Sequence, residues 1–308
     1  MIKPNMKLSN NTTVSYYSLV VAIAKRAREI AAEAELKGEI LVEKPVDLAV
    51  NEYIEGAFRI VEPKECSGKQ DLEYIKSNGY TTINMEELIN YVYNDGTLPE
   101  KPIIITFDDG YYNNFGYAIP ILKELNMKAI ISIVGEYTDT YSESGEANLN
   151  YGYIRWEDIK NAMQEETIEF QNHTYALHCN TKGRNGASKK KGESIEQYKK
   201  IFSTDLMRLQ NEFKEYTDYV PSTFTYPFGS VEKCSTDIIK ELGFKASLSC
   251  SSGINFITKN EDSLFLLKRN NRPANITTEN FFKKINKPVP VFAQTTKMEK
   301  ENSSEDSS

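Results

Sequence analysis

Apolar runs long enough to cross a membrane, about 18 residues or more, are missing from this chain, so no transmembrane segment is expected. Histidine is nearly missing: there are 2 in 308 residues, and any chemistry that needs imidazole has only those two to use. Positive charge is in deficit. Lys plus Arg total 37 against 44 for Asp plus Glu, a formal net charge of -7, which argues against a protein that wraps duplex nucleic acid. A local basic patch is still allowed, but direct sequence-specific nucleic acid binding is not expected. The 4 cysteines, Cys66, Cys179, Cys234 and Cys250, never fall at CxxC spacing, which excludes a zinc ribbon and a dithiol redox motif. Cys179 follows a histidine and has two readings, a soft metal ligand or a small half-buried thiol, and the thiol is expected. What is present, 40% hydrophobic and 26% charged residues, fits one large α/β domain with a small appendage.

The start of the chain imitates an export signal. Lys3 and Lys7 precede an apolar stretch, Tyr16 to Ala24, that closes in Ala22-Ile23-Ala24. Polar residues from Ser9 to Thr13 ahead of it, and Lys25, Arg26 and Arg28 behind it, oppose that reading. A helix in a cytoplasmic protein is expected instead, with an extracytoplasmic location if the stretch does act in export.

Residues 1–64 form a helical zone in which Leu19, Ile23, Ala27 and Ile30 recur at helical spacing, and Pro45 opens a second helix to Ile54, ended near Gly56. Residues 65–70 are a junction. From 71 to 285, helices and strands alternate. Strands are predicted over Pro102 to Phe107, Ala129 to Val134, Ile168 to Phe170, Thr223 to Tyr226, Ala246 to Leu248 and Leu264 to Leu267. Helices are predicted over Asn113 to Leu125, Trp156 to Met163, Ile195 to Phe213 and Ser235 to Leu242. This alternation implies an α/β fold with a largely parallel sheet or barrel and function at the carboxyl ends of the strands. Residues 286–308 end in polar residues only and are expected to be a disordered tail.

Asp108 and Asp109 stand where the first long apolar strand ends, and Gly110 lets the chain turn. Asp-Gly commonly ends a strand for conformational reasons alone. Two adjacent carboxylates also repel, so a compensating cation would favour the pair. His173 and His178, five residues apart after another short strand, tip the balance. That spacing is wrong for one helical face and suits a strand end with a loop curling back. One carboxylate and two imidazoles make an open site for a divalent metal, with positions left for water and substrate. Ligating atoms converging to roughly 3–4.5 Å are expected.

Thr106-Phe107-Asp108-Asp109-Gly110 resembles the first motif of the polysaccharide deacetylases of carbohydrate esterase family 4. His173-Thr174-Tyr175-Ala176-Leu177-His178 resembles their second motif, Thr225-Tyr226-Pro227-Phe228-Gly229 the third, and Leu267-Lys268-Arg269 the fifth. The resemblance implies a distorted (β/α) barrel, preceded here by a small helical domain. It implies Asp109, His173 and His178 as metal ligands, usually to zinc, and Asp108 as general base. It also implies Tyr226, Phe228 and Gly229 against an N-acetylated glycan, with the Phe228 backbone N–H facing the oxyanion. The chain departs from that pattern in three places. Thr225 stands where the family often has an arginine that orients the base, and Arg269 is expected to supply that charge. No histidine follows His178 to act as general acid. The usual first strand has no counterpart before Lys69, which leaves the barrel incomplete unless another segment replaces it.

The N-terminal zone resembles something else. Tyr17-Ser18-Leu19-Val20-Val21, Ala24-Lys25-Arg26-Ala27-Arg28, Lys44-Pro45-Val46, Ala49, Glu52 and Gly56 resemble the bacterial RNA polymerase omega subunit over residues 1–64. That resemblance implies RNA polymerase as a partner and a fusion of two unrelated units. Lys182 to Lys191, with five basic residues and no acid, is expected to be a mobile basic loop at the rim of the site.

Overall fold

The structure is a computed structural model that describes residues 16–38, 41–58, 67–149, 151–181 and 183–286. Helices α1 (Tyr16–Lys37) and α2 (Pro45–Ile54) pack on each other through Leu19, Ile23, Ala27, Ile30 and Ala49. The apolar positions read from sequence are therefore the contact stripe of this pair. Arg26 crosses it to Glu52 at 2.6 Å. The α/β part begins with α3 (Ser67–Ser77), inside the expected junction, followed by β1 (Thr81–Thr82) and α4 (Met85–Tyr93). Asn84 and Glu87 close a reciprocal capping box on α4. Then come β2 (Pro102–Ile103), β3 (Thr106–Phe107), a π-type turn at Asn114–Ala118, α5 (Ile119–Leu125), β4 (Ala129–Ile133), α6 (Gly135–Ser144), α7 (Trp156–Ala162) and β5 (Ile168–Asn172). The chain continues through β6 (Asn180–Thr181), β7 (Arg184–Asn185), α8 (Ile195–Thr217), β8 (Thr223–Thr225), α9 (Ser235–Glu241), β9 (Ala246–Leu248) and α10 (Thr278–Ile285).

The main sheet has the order β3-β4-β5-β8-β9 and is parallel throughout. Every strand therefore delivers its carboxyl end to one rim. β4 is buried along its whole length, as a strand apolar but for Ser132 requires. On one face, Ile131, Ile133 and Phe170 pack with residues of α5, α7, α8 and α10. On the other, Ile130 meets Ala246, Leu248, Leu264 and Leu267, together with Met85, Leu88 and Ile89 of α4. The sheet thus curls as a half-barrel of the expected type, with α4 packed into its concave side.

Three expectations need correction. The run Pro102 to Phe107 is not one strand. Its first half pairs with β1 and its second with β4, so one kinked segment serves two ladders. The helix expected over Asn113 to Leu125 opens in the π-type turn before Pro120, whose missing N–H is harmless in the first turn of α5. Leu264 to Leu267 is not a strand. Glu261–Leu264 is a 3-10 turn, Leu266 takes a left-handed φ of 58°, and only Leu267 bridges to β9. The tail from residue 287 onward, and Lys182 of the basic loop, lie outside the described residues.

Candidate metal centre

β3, β5 and β8 are each followed, two or three residues on, by a non-glycine residue with left-handed backbone: Asp109 (φ 70°), Thr174 (φ 75°) and Phe228 (φ 56°). Each such residue costs on the order of 1 kcal/mol or more, and strain of this kind collects at functional sites. Gly110, also left-handed, has no room for a side chain: a Cβ there would sit 3.0 Å from Ile133 Cγ2 and 3.2 Å from Ile154 Cγ2.

These turns bring three side chains together. Asp109 Oδ1 lies 3.4 Å from His173 Nε2 and 3.1 Å from His178 Nε2, and one ligand atom from each residue falls within 4.8 Å of the others. That spread slightly exceeds the expected one, so modest closure would be needed around an ion. The ring of His173 is buried, and its Nδ1 lies 2.8 Å from the Thr225 carbonyl oxygen. A carbonyl only accepts, so Nδ1 carries the proton. In the neutral ring Nε2 then turns a lone pair toward Asp109. Asp109 Oδ1 is itself buried and has no hydrogen-bond partner. A lone pair facing an unpaired buried carboxylate oxygen is unfavourable unless a cation lies between them. The donor set, one carboxylate and two imidazoles, therefore fits a divalent metal. Burial works to raise the Asp109 carboxyl, and the group is held well below the usual carboxylate range only by positive charge at the two imidazoles, which an ion between them supplies when the rings are neutral. Cys179 is half-buried and outside this ligand cluster, as expected of a plain thiol.

Asp108 points to a different partner. Arg269 Nη1 donates to Asp108 Oδ1 at 2.7 Å and Nη2 to Oδ2 at 2.8 Å, a bidentate fork. The fork is aimed from behind. Arg269 Nε donates to the Ser249 carbonyl at 2.8 Å, and its backbone N–H to the Ser251 carbonyl at 2.8 Å. Burial opposes the charge on Arg269, but Asp108 more than compensates, so its guanidinium is held more firmly protonated than usual. Thr225 supplies no charge: it is fully buried, with its hydroxyl 2.7 Å from Ser132 Oγ.

The three residues expected against substrate divide. Phe228 is exposed, its ring centroid 4.4 Å from that of His178. Gly229 shapes the turn: a Cβ there would meet Cys250 Cβ at 2.7 Å. Tyr226 must be withdrawn as a substrate contact. Its ring is fully buried beside Phe224, and its hydroxyl pairs with Ser235 Oγ at 2.8 Å. The basic loop also differs from expectation. Arg184 is buried and paired with Glu193 at 2.5 Å, and Lys189 Nζ donates to the Glu193 carbonyl at 2.8 Å. An acid just beyond the basic run thus ties it down. Gly186 lies against the third motif, where a Cβ would come within 2.8 Å of the Pro227 carbonyl oxygen.

Sequence reasoning missed Asp205 of α8. Its two carboxylate oxygens accept the backbone N–H groups of Tyr175 (2.8 Å) and Ala176 (2.9 Å), inside the segment that joins the two histidines. Burial pushes its carboxyl up to about 6 against those hydrogen bonds. The signal was present, since Asp205 interrupts the apolar face formed by Tyr198, Phe202, Leu206 and Leu209.

Residues 95–247 match the family described as Polysaccharide deacetylase, and residues 12–60 match RNA polymerase Rpb6. A poly-beta-1,6-N-acetyl-D-glucosamine N-deacetylase of Escherichia coli is 21% identical over 214 residues, covering 64% of this chain and 32% of that relative. The chain therefore spans about a third of the length of that relative. A DNA-directed RNA polymerase subunit omega of Alkaliphilus metalliredigens is 40% identical over 65 residues, 21% of this chain and 96% of that subunit. The solved structure of a Streptococcus pyogenes deacetylase in complex with acetate superposes with a TM-score of 0.56 at 21% identity, over 72% of this chain and 86% of that one. Among the described residues no helix is long and apolar enough to cross a membrane.

Proposed function

The chain belongs to the polysaccharide deacetylase family, with an Rpb6/omega-type segment ahead of that domain, and from this premise we propose that it hydrolyses N-acetyl groups of an amino-sugar polysaccharide with a divalent metal, zinc by preference. The observation that carries the proposal is the unpaired, buried Asp109 Oδ1 between two imidazole nitrogens. Asp109, His173 and His178 would hold the ion, which when bound polarises a carbonyl and acidifies a water. Asp108, aimed by the Arg269 fork, takes a proton from the attacking water. The water oxygen bonds to the acetamide carbon, and the backbone N–H of Phe228 is assigned to the developing oxyanion. The C–N bond then breaks, acetate leaves, and the sugar nitrogen takes a proton. With no third histidine in the chain, the proton held by Asp108 is the one available for that nitrogen.

The test is acetate release from N-acetylglucosamine oligomers by purified protein, stripped with a chelator and reloaded with zinc. Release is expected to vanish on stripping and return on reloading. No release under any metal condition would overturn the proposal.

A second reading has its own observation, the 40% identity of the N-terminal segment to an omega subunit. It treats the chain as an RNA polymerase assembly subunit with an impaired deacetylase domain in the cytoplasm. Co-purification with RNA polymerase, unaffected by His173→Ala, together with fractionation to the cytoplasm, is its expected result. Absence of the polymerase from the pulled-down material would remove it.

A further inference from the structure

We propose that Asp205 is a positioning residue that sets the distance between His173 and His178, and through it the affinity for the metal, an inference that rests on the metal-dependent reading above. The segment between the histidines leaves its sheet at a strained residue, Thr174, and must satisfy its backbone without a neighbouring strand. It does so from two sides. The N–H groups of Tyr175 and Ala176 converge on the Asp205 carboxylate at 2.8 and 2.9 Å. The carbonyls of Thr174 and Tyr175 accept the N–H groups of Gly135 and Glu136, at the start of α6, at 3.1 and 2.9 Å. The Tyr175 side chain pins the same turn. Its hydroxyl donates to Asp139 Oδ2 at 2.9 Å, and the Arg208 guanidinium stacks 3.3 Å from its ring centroid. Gly135 makes room for that ring, since a Cβ there would come within 2.5 Å of Tyr175 Cδ2.

Of these supports only Asp205 presents two acceptors to two consecutive N–H groups, which requires an ionised carboxylate. An asparagine keeps one acceptor and turns a donor toward the other N–H. The loop must then re-aim at least one end, and each end carries an imidazole. Outer partners of metal ligands act in this way, at a cost of roughly 10–100-fold in metal affinity.

The experiment titrates chelator-stripped full-length chain with Co2+ and follows the visible absorption of the bound ion, for wild type, Asp205→Asn, Asp205→Glu and Tyr198→Phe. Tyr198→Phe deletes another buried hydrogen bond made by α8, to the Ala187 carbonyl at 2.8 Å, and serves as the control for general loosening. Asp205→Asn is expected to bind Co2+ roughly 10–100-fold more weakly. Asp205→Glu, which keeps both acceptors, should bind more tightly than Asp205→Asn, and Tyr198→Phe should bind like wild type. Asp205→Asn within about twofold of wild type would overturn the proposal, as would equal weakening in Tyr198→Phe. If Asp205→Asn does not fold, the glutamate variant decides: binding within about tenfold of wild type supports the role, and loss of binding in a folded protein overturns it. A wild-type chain that binds no Co2+ would refute the metal reading itself, a result distinct from any of these.

Discussion

The two ends of strand β5 treat a partly buried carboxylate in opposite ways. At the carboxyl end, Asp109 sits beside His173 and His178, and at the amino end Glu169 lies against the start of α4. Burial is the largest influence on both groups and pushes both upward. Positive charge at the imidazole cluster overturns it for Asp109, whose carboxyl then stays well below the usual range. Glu169 has the Glu86 N–H at 3.1 Å and the Gln171 side-chain amide, which only partly offset burial, and its carboxyl is pushed up to about 7. A buried acid is thus not in itself a site. The partner decides whether burial yields a ligand or a structural group.

The largest expected effect breaks the comparison at the carboxyl end. Asp109→Asn should lower metal affinity by more than the roughly 10–100-fold that follows loss of an outer partner, and acetate release should go with it. Metal titration and an acetate assay on the same preparation check this. Next is Arg269→Lys, which keeps the charge but loses the two-bond fork. The rate should fall roughly tenfold or more. The pH–rate profile should change with it, because the carboxylate loses a two-bond partner that a lysine cannot reproduce. An unchanged profile would separate Arg269 from the base.

At the amino end, Glu169→Gln should leave activity near pH 7 intact and change stability instead. The folded-state pKa of Glu169 is raised above its unfolded value, so its contribution is fully present below about pH 4.5 and is lost as pH rises through about 7. The variant should be more stable than wild type at pH 8, by roughly 1–3 kcal/mol, and should show a flatter stability profile between those limits. Denaturant unfolding at several pH values measures it, and an unaltered slope would contradict the burial argument. The smallest effect is expected away from both ends. Tyr226→Phe removes a hydroxyl that faces Ser235. It should cost about 1 kcal/mol of stability and leave KM for the glycan unchanged.

The strand ends were legible because each carries a strong local signal. Asp108-Asp109-Gly110 closes an apolar run, and the two histidines follow another. The parallel sheet was legible from the same runs. Helices α4 and α6 were not, although Asn84 and Glu87 spelled a capping box in advance. α6 presents few apolar residues and has no clear periodic stripe, whereas α4 carries one in Met85, Leu88, Ile89 and Val92 and was overlooked because it is short. Leu264 to Leu267 was misread because apolar composition says nothing about the left-handed turn at Leu266. Tyr226 was misassigned because a motif names neighbours without their faces: consecutive strand residues point to opposite sides, and this one points into the core. Asp205 belongs to no motif, and its function lies in backbone groups that a sequence does not display.

In the proposed reaction two adjacent carboxylates divide the work, Asp109 holding the ion and Asp108 taking the proton. Asp108→Asn tests that division most directly, with bound metal and acetate release measured on one sample. Metal content like that of wild type with acetate release abolished is the predicted result. Metal loss equal to that of Asp109→Asn, or deacetylation that survives the substitution, would contradict it.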